Sequence, residues 1–231
     1  MNEMDALKEQ FFEHIQLGQV KAAVDILHAH PDATGWNMPG TDGRKALHIA
    51  AIHTQPEMVQ ALVAAGADIE AKDNGGETAL GWACLRVTRS CIAKLLLALG
   101  ANPDARLKGG ATPLLRAAEG KSCTAAEALV QAGANINAKN DAGSTALHVA
   151  ASIGDSGMIR LLVTLGADAS IKNAAGQSVN AENSNFRPVV ELALIRKREE
   201  EDLIQAQMKE GSGAAVAVHK PLKFKANRLS S

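Results

Sequence analysis

The sequence predicts an all-α repeat solenoid, and three observations predict it. Glycines that close turns stand at Gly43, Gly76, Gly110, Gly143 and Gly176, spaced 33, 34, 33 and 33 residues apart. A Gly-Ala-Asp/Asn tripeptide recurs from Gly66, Gly100, Gly133 and Gly166, spaced 34, 33 and 33. The two markers share one period and the same one-residue slip, which chance does not produce. Third, only 3% of the 231 residues are aromatic and none is Tyr. Small Ala and medium Leu and Val must then fill the interior, which suits closely stacked helix pairs. In such an array each unit touches only its neighbours, and the core is a long seam.

The clearest unit opens at Asp141-Ala142-Gly143-Ser144-Thr145-Ala146-Leu147-His148-Val149-Ala150-Ala151. This stretch resembles the start of an ankyrin repeat, a turn followed by Thr-Pro-Leu-His-x-Ala, and a period of about 33 residues is that family's unit. The resemblance covers roughly residues 4 to 195. It implies helix-turn-helix units joined by β-hairpin-like loops and capped at both ends.

The elements follow in order. Residues 4 to 17 read as an amphipathic helix with Leu7, Phe11, Phe12 and Ile15 on one face, and Gly18 breaks it. A second helix carries Val20, Val24, Ile26 and Leu27, and Pro31 stops it. Together they resemble a degenerate first unit over 1–38, atypical because one side faces water. Four units follow at 39–72, 73–106, 107–139 and 140–173. In the first, Asp42-Gly43 makes a tight turn, and Lys45 stands where the consensus has a helix-capping Thr. Pro56 opens its second helix and Gly66 ends it. In the second, Thr78 caps the first helix, Gly81 takes the family's His slot, and the extra residue falls near Val87-Thr88-Arg89. The third has Thr112-Pro113, with Leu115 in the His slot. A fifth unit starts at Ala174 and then departs, with Asn180 in the slot of a core Leu. Residues 174–210 are expected to form a degenerate repeat and a long capping helix from about Pro188 to Met208. A flexible tail, 211–231, carries Lys220, Lys223, Lys225 and Arg228 without an acid from His219 onward.

Composition limits the function classes. The formal net charge of −1 gives the whole molecule no strong preference for nucleic acid or membrane. Cys84, Cys91 and Cys123 are odd in number and lack metal-ligand spacing. Buried free thiols in a reducing compartment are expected. Residues 1 to 10 lack the apolar stretch of a signal peptide, and no run of about 18 apolar residues exists to span a bilayer. The expectation is a cytoplasmic protein, with signal-less secretion left open, that is monomeric when free and takes no cofactor or small-molecule substrate. Phosphate-loop, His-Glu-x-x-His and Gly-x-Ser-x-Gly motifs are absent from the sequence. No enzyme activity is therefore expected.

Several residues could suggest chemistry but have plainer readings. His48 and His148 match the family's histidine, and a metal or catalytic role would need a second ligand that the same helices do not offer. A ring that ties adjacent units together is expected instead. Asp68 and Glu70 read as turn-stabilising rather than as a catalytic pair. Asn137 matches the asparagine that hydroxylases modify in this family, which the consensus fold alone also favours.

What remains is a binding surface. In ankyrin arrays the hairpin tips and the exposed side of each first helix line a concave groove. By register these positions are Asp42, Arg44, Ile49 and His53, then Asn74, Glu77, Trp82, Leu85 and Arg86. The third and fourth units supply Arg106, Leu107, Lys108, Arg116 and Glu119, then Asp141, Ser144, Val149, Ser152 and Ile153. Trp and Arg are the commonest interface anchors, so the expected partner-binding set is Trp82, Arg86, Arg116, Arg106, Lys108, Leu85, Arg44 and Ile49. Residues 86 to 116 hold Arg86, Arg89, Lys94, Arg106, Lys108 and Arg116 against the single acid Asp104. Just before them Asp68, Glu70, Asp73 and Glu77 face only Lys72. These counts predict a basic middle beside an acidic rim. The expected function is a module that binds a protein partner, through an acidic segment, in this groove. Two alternatives are a bacterial effector whose basic tail is an export signal and an inhibitor or immunity-type regulator of an enzyme.

Overall fold

The computed structural model describes residues 3–30 and 41–179, with isolated positions between 191 and 202. The chain divides into Met1–Leu194 and Ile195–Ser231, and the repeats lie in the first part. Residues 31–38 of the first unit and the 211–231 tail lie outside the described residues. So do Asn180 and, apart from those isolated positions, the long C-terminal helix.

Ten helices are described. The first unit holds α1 (Glu3–Gln16) and α2 (Val20–Ala29), and the second holds α3 (Ala46–Ile52) and α4 (Pro56–Ala64). Then come α5 (Ala79–Cys84) with α6 (Ser90–Ala98), α7 (Pro113–Glu119) with α8 (Cys123–Gln131), and α9 (Ala146–Ile153) with α10 (Ser156–Thr164). First helices pack on first helices, α1 on α3, α5, α7 and α9 in succession, and second helices form a parallel row from α2 to α10. The seam repeats in register. Leu62, Leu96, Leu129 and Leu162 are fully buried in the second row, and Ala50, Ala83, Ala117 and Ala150 in the first. Ala at the first-row positions lets short helices approach closely, and each buried Leu contributes about 1.5–3 kcal/mol.

The Gly-Ala-Asp/Asn marker has a complete physical explanation. Gly66, Gly100, Gly133 and Gly166 all adopt positive φ, between 87° and 104°. Each closes a second helix by a Schellman motif. In the first, Gly66 N–H donates to Val63 C=O at 3.0 Å and Ala67 N–H to Leu62 C=O at 2.9 Å. The following alanines, Ala67, Ala101, Ala134 and Ala167, are buried, which supplies the apolar contact of that motif. The Asp or Asn then accepts the N–H two residues on, as Asp68 does from Glu70 at 3.0 Å and Asn135 from Asn137 at 3.0 Å.

Side chains also bond from one unit to the next. Glu70 accepts the Asn102 N–H at 2.7 Å, Asp104 the Asn135 N–H at 3.0 Å, and Asn137 the Asp168 N–H at 2.9 Å. These three positions are equivalent one period apart. Asn137 therefore spends its side-chain carbonyl on the backbone of the next unit. At the tips, Asp141 N–H donates to Gly109 C=O and Ala174 N–H to Ala142 C=O, both at 3.0 Å.

The histidines act as ties. Lys45 N–H donates to His48 Nδ1 at 3.1 Å, so Nε2 carries the proton and donates to Glu77 C=O at 3.0 Å. Thr145 Oγ1 lies 2.8 Å from His148 Nδ1, and His148 Nε2 donates to Gln177 C=O at 3.3 Å. Where the histidine is missing, apolar packing replaces the bond. Gly81 lies under Leu107 of the next unit, whose Cδ1 would stand 3.0 Å from a Cβ at position 81. Thr78 and Thr112 cap α5 and α7, accepting from Gly81 and Leu115 N–H at 3.2 and 3.5 Å.

The extra residue of the 73–106 unit forms a single helical turn, Val87–Arg89, between α5 and α6. Gly120 of the next unit packs on the backbone that leads into it. A Cβ at 120 would stand 2.8 Å from Leu85 Cα and closer still to the Leu85 carbonyl. The thiols differ from the uniformly buried set expected. Cys84 is buried, Cys123 is half-buried and Cys91 is exposed. Burial pushes the Cys84 thiol well above its ordinary pKa. Among the described residues no helix is long and apolar enough to cross a membrane.

Candidate protein-binding groove

The groove face is built by the tips and the first helices, and its centre is Trp82 on α5. Trp82 is half-buried. Its indole Nε1–H donates to Asp73 Oδ2 at 2.9 Å. The other Asp73 oxygen accepts the Gly75 and Glu77 N–H groups at 2.8 and 2.9 Å, which closes the tip turn. The ring orientation is thus set by the turn that precedes its own helix. Arg44, from the tip of the preceding unit, lies over the ring with its guanidinium carbon 4.7 Å from the ring centre. Such a cation–π stack is worth about 0.5–1 kcal/mol at an exposed site. Arg44 also approaches Asp42, at 3.7 Å.

Beside this stack runs an ion-paired strip. Arg116 on α7 reaches back to the previous unit and holds Glu77 with two bonds, Nε to Oε2 at 3.2 Å and Nη2 to Oε1. Its Nη1 donates to Glu119 Oε2 at 2.7 Å. The Glu77 side chain is 8% exposed and that of Arg116 is 17% exposed. Burial works against the charged guanidinium, but the bonds to Glu77 and Glu119 outweigh it and raise the Arg116 pKa above its ordinary value. Gly81 makes room for this arrangement, because a Cβ there would stand 2.8 Å from Glu77 Oε2.

The expected site residues therefore separate into groups. Arg44 and Trp82 come together as a stack. Lys108 is exposed at the third tip, where its carbonyl accepts from Arg116 Nη2 at 3.5 Å. Arg106 is exposed but acts as a strap, its Nη1 donating to Gly110 C=O at 2.8 Å and Lys139 C=O at 2.7 Å. Arg86 is exposed and Leu85 half-buried, both at the far end of α5 from the tips. The register placed Ile49, Glu77 and Leu107 on the open face, but the structure buries all three. Ile49 joins the core, Leu107 covers Gly81, and Glu77 turns inward to Arg116. Among the other lining positions, Asp42, His53, Asn74, Glu119, Asp141, Ser152 and Ile153 are exposed, and Ser144 and Val149 are half-buried.

The basic middle and acidic rim also take a different form. Stacking brings Glu77 against Arg116, 39 residues on, so one acid of the first block pairs with one cation of the second. Two residues gained roles that the linear pattern did not assign. Asp73 is the acceptor that orients Trp82, a role readable only from the Asx-turn position two residues before Gly75. Gly120 is the glycine that lets the next unit approach the Leu85 backbone, and no one-dimensional signal marks it.

The stacked geometry agrees with comparisons against known proteins. The family model described as ankyrin repeats (3 copies) matches residues 12–107 and 87–173. The chain belongs to the ankyrin-repeat family. The ankyrin repeat and SOCS box protein 6 of Pongo abelii is 40% identical over 103 residues, which is 44% of this chain and 24% of that protein. The Homo sapiens protein of the same name is 39% identical over 103 residues, again 24% of its length. The Mus musculus protein is 38% identical over 106 residues. The chain thus spans about a quarter of the length of the curated relatives it matches. Ankyrin repeats are protein–protein interaction modules and are generally non-enzymatic.

Proposed function

We propose that this ankyrin array binds a partner protein in its groove, with the Arg44–Trp82 stack as anchor and Lys108 as a neighbouring cation. The observation that carries the reading is the Trp82 indole, half-buried, locked by Asp73 and covered on one face by an arginine of the adjacent unit. A rigid aromatic with its polar atom already bonded loses little conformational freedom on binding. Arg44 supplies a charge whose local acid, Asp42, is exposed and 3.7 Å away, so a partner carboxylate can compete for it. An acidic segment of the partner is the complement to Arg44 and Lys108.

Compared with the expectation from register, Arg116 leaves the binding set and becomes a support. Its guanidinium is committed to Glu77 and Glu119, and a partner would have to break that pair to use it. The test is affinity capture of a partner followed by titration against purified variants. Trp82→Ala should weaken binding by about 2 kcal/mol or more if the indole is an anchor. Unchanged affinity in a folded Trp82→Ala protein would end the anchor claim.

A further inference from the structure

A second face of the array carries charge that the groove does not use. It lies where the helices of each pair join, at the opposite end of α5 and α7 from the hairpin tips. In the 73–106 unit that join contains Arg86, in extended conformation with φ −141° and ψ 132°, followed by the turn Val87–Arg89. The one-residue insertion pushes this turn outward, and Val87 is left 54% exposed. In the next unit the join is Gly120-Lys121-Ser122. Gly120 packs against the backbone of Leu85, so Lys121 and Arg86, each one residue further on, are neighbours across the two units. Lys121 is exposed and held at φ 54°. The Val87–Arg89 turn packs on α5, α6 and α8, so it is seated on both units.

The cations here lack the compensation found in the groove. The described ion pairs are Arg44 with Asp42 and Arg116 with Glu77 and Glu119, and none includes Arg86, Arg89 or Lys121. Arg89 donates from Nη1 to Trp82 C=O at 3.4 Å, which aims its charge along the join. Burial, and then the nearby positive charge of Arg86, lower the Arg89 pKa. On the side of the last full unit, Asp155 caps α10, accepting from Gly157 and Met158 N–H at 3.0 and 3.1 Å, and forms no ion pair with Lys121. Three cations without an ion-pair partner, set around a valine that is 54% exposed, leave an apolar spot with a mainly positive rim. An inserted turn is also where a repeat array tolerates added function, since insertions fall in loops and leave the seam intact.

We propose that this inter-helix edge, Arg86, Val87, Arg89 and Lys121, is a second docking site, for an acidic linear segment of a protein that carries an aliphatic side chain. The acids would meet the three cations and the aliphatic group would cover Val87. The site is separate from the groove, because α5 and α7 lie between the edge and the tips and the Glu77–Arg116–Glu119 cluster lies midway. Its occupant is fixed by charge complementarity. A basic or neutral segment would leave three like charges facing it or unpaired.

The experiment selects peptides from a displayed random library on the full chain, then measures the best binders in solution. The expected consensus places Asp or Glu on both sides of Leu, Ile or Val. The variant Arg86→Glu/Lys121→Glu should bind such a peptide about tenfold more weakly, since exposed pairs contribute a few-fold each and reversal also adds repulsion. The same variant should bind the Lys-substituted version of that peptide better than the unaltered chain does. A tip variant, Lys108→Glu, should leave the affinity unchanged. Selection without acidic enrichment, or retained affinity in Arg86→Glu/Lys121→Glu, would overturn the proposal. Loss with Lys108→Glu alone would assign the peptide to the groove, overturning the edge site while supporting the groove. Arg86 and Lys121 are both exposed, and an unchanged circular dichroism spectrum checks that the variant is folded.

Discussion

Removing Arg116 tests the buried ion pair that it forms with Glu77. In Arg116→Met the Glu77 carboxylate loses two charge-assisted bonds. Breaking a buried pair from one side typically destabilises by about 3–5 kcal/mol, because the other charge stays buried and unpaired. Two features lower that figure here. The Arg116 side chain is 17% exposed, so water can reach Glu77 once the guanidinium is gone. Met also preserves most of the apolar stem that Arg lays along the helix. The bond to Glu119 adds little, since the Glu119 side chain is 35% exposed and screened. The expected loss is about 2–3 kcal/mol. Glu77→Gln keeps an amide oxygen for Arg116 and should cost only about 1 kcal/mol. The double variant Glu77→Gln/Arg116→Met should then be less destabilised than the sum, by a coupling of about 1–2 kcal/mol. Urea unfolding followed by far-ultraviolet circular dichroism measures the totals. Native-state amide exchange in α5 and α7 locates the loss, because neighbouring units are coupled. An Arg116→Met protein within about 0.5 kcal/mol of the unaltered chain would refute the reasoning. Arg116 would then be an ordinary surface cation, free for a partner.

The other predictions concern single bonds and single atoms. Trp82→Phe retains a ring for Arg44 but loses the indole N–H to Asp73, and should destabilise by about 1 kcal/mol in the same unfolding assay. His48 has a pKa lowered by burial, against weaker raising effects from Glu77 C=O and Asp73. Its contribution is therefore fully present above the unfolded value of about 6.5 and is lost as pH falls from there through the folded pKa, with a slope of at most about 1.4 kcal/mol per pH unit. The difference in stability between the unaltered chain and His48→Gln, measured by urea unfolding across that window, should shrink on acidification, and a constant difference would contradict the assignment. Gly120→Ala and Gly100→Ala should both destabilise, for different reasons. The first meets the Leu85 backbone at an ordinary φ of −81° and should cost about 1–3 kcal/mol. The second meets nothing within 4 Å but is held at φ 94°, and should cost about 1–2 kcal/mol. Thermal unfolding of Gly120→Ala should be rescued by deleting one residue of the Val87–Arg89 turn, whereas that of Gly100→Ala should not.

What was legible in the sequence was whatever the period writes into every copy. The Schellman glycine, the buried alanine after it and the Asp or Asn that closes the turn are local devices. Each needs only its own four or five residues, so their spacing alone located α4, α6, α8 and α10. The His48 and His148 ties were legible for the same reason, because a solitary buried imidazole must bond backbone. The groove was less legible because its chemistry is made between units. Nothing in the linear order near Glu77 points to Arg116, and a count of charge by window treats them as opposing patches rather than as partners. Ile49 and Leu107 were placed outward by average register. Their burial depends on what the adjacent unit lacks, and for Leu107 that is the side chain missing at Gly81. The inserted residue could be located to Val87–Arg89 from the period, but its consequence, an exposed valine among cations, required the stacked arrangement.

The proposed partner-binding surface is the Arg44–Trp82 stack with Lys108, and Arg116 supports it. Affinity capture from native lysate should use the intact chain beside two variants of verified helicity, Arg44→Ala/Lys108→Glu and Lys94→Glu on the outer helix row. On this assignment a protein is captured by the intact chain and by Lys94→Glu and is lost with Arg44→Ala/Lys108→Glu. Equal capture by Arg44→Ala/Lys108→Glu, or loss with Lys94→Glu instead, would place the binding surface elsewhere and contradict it.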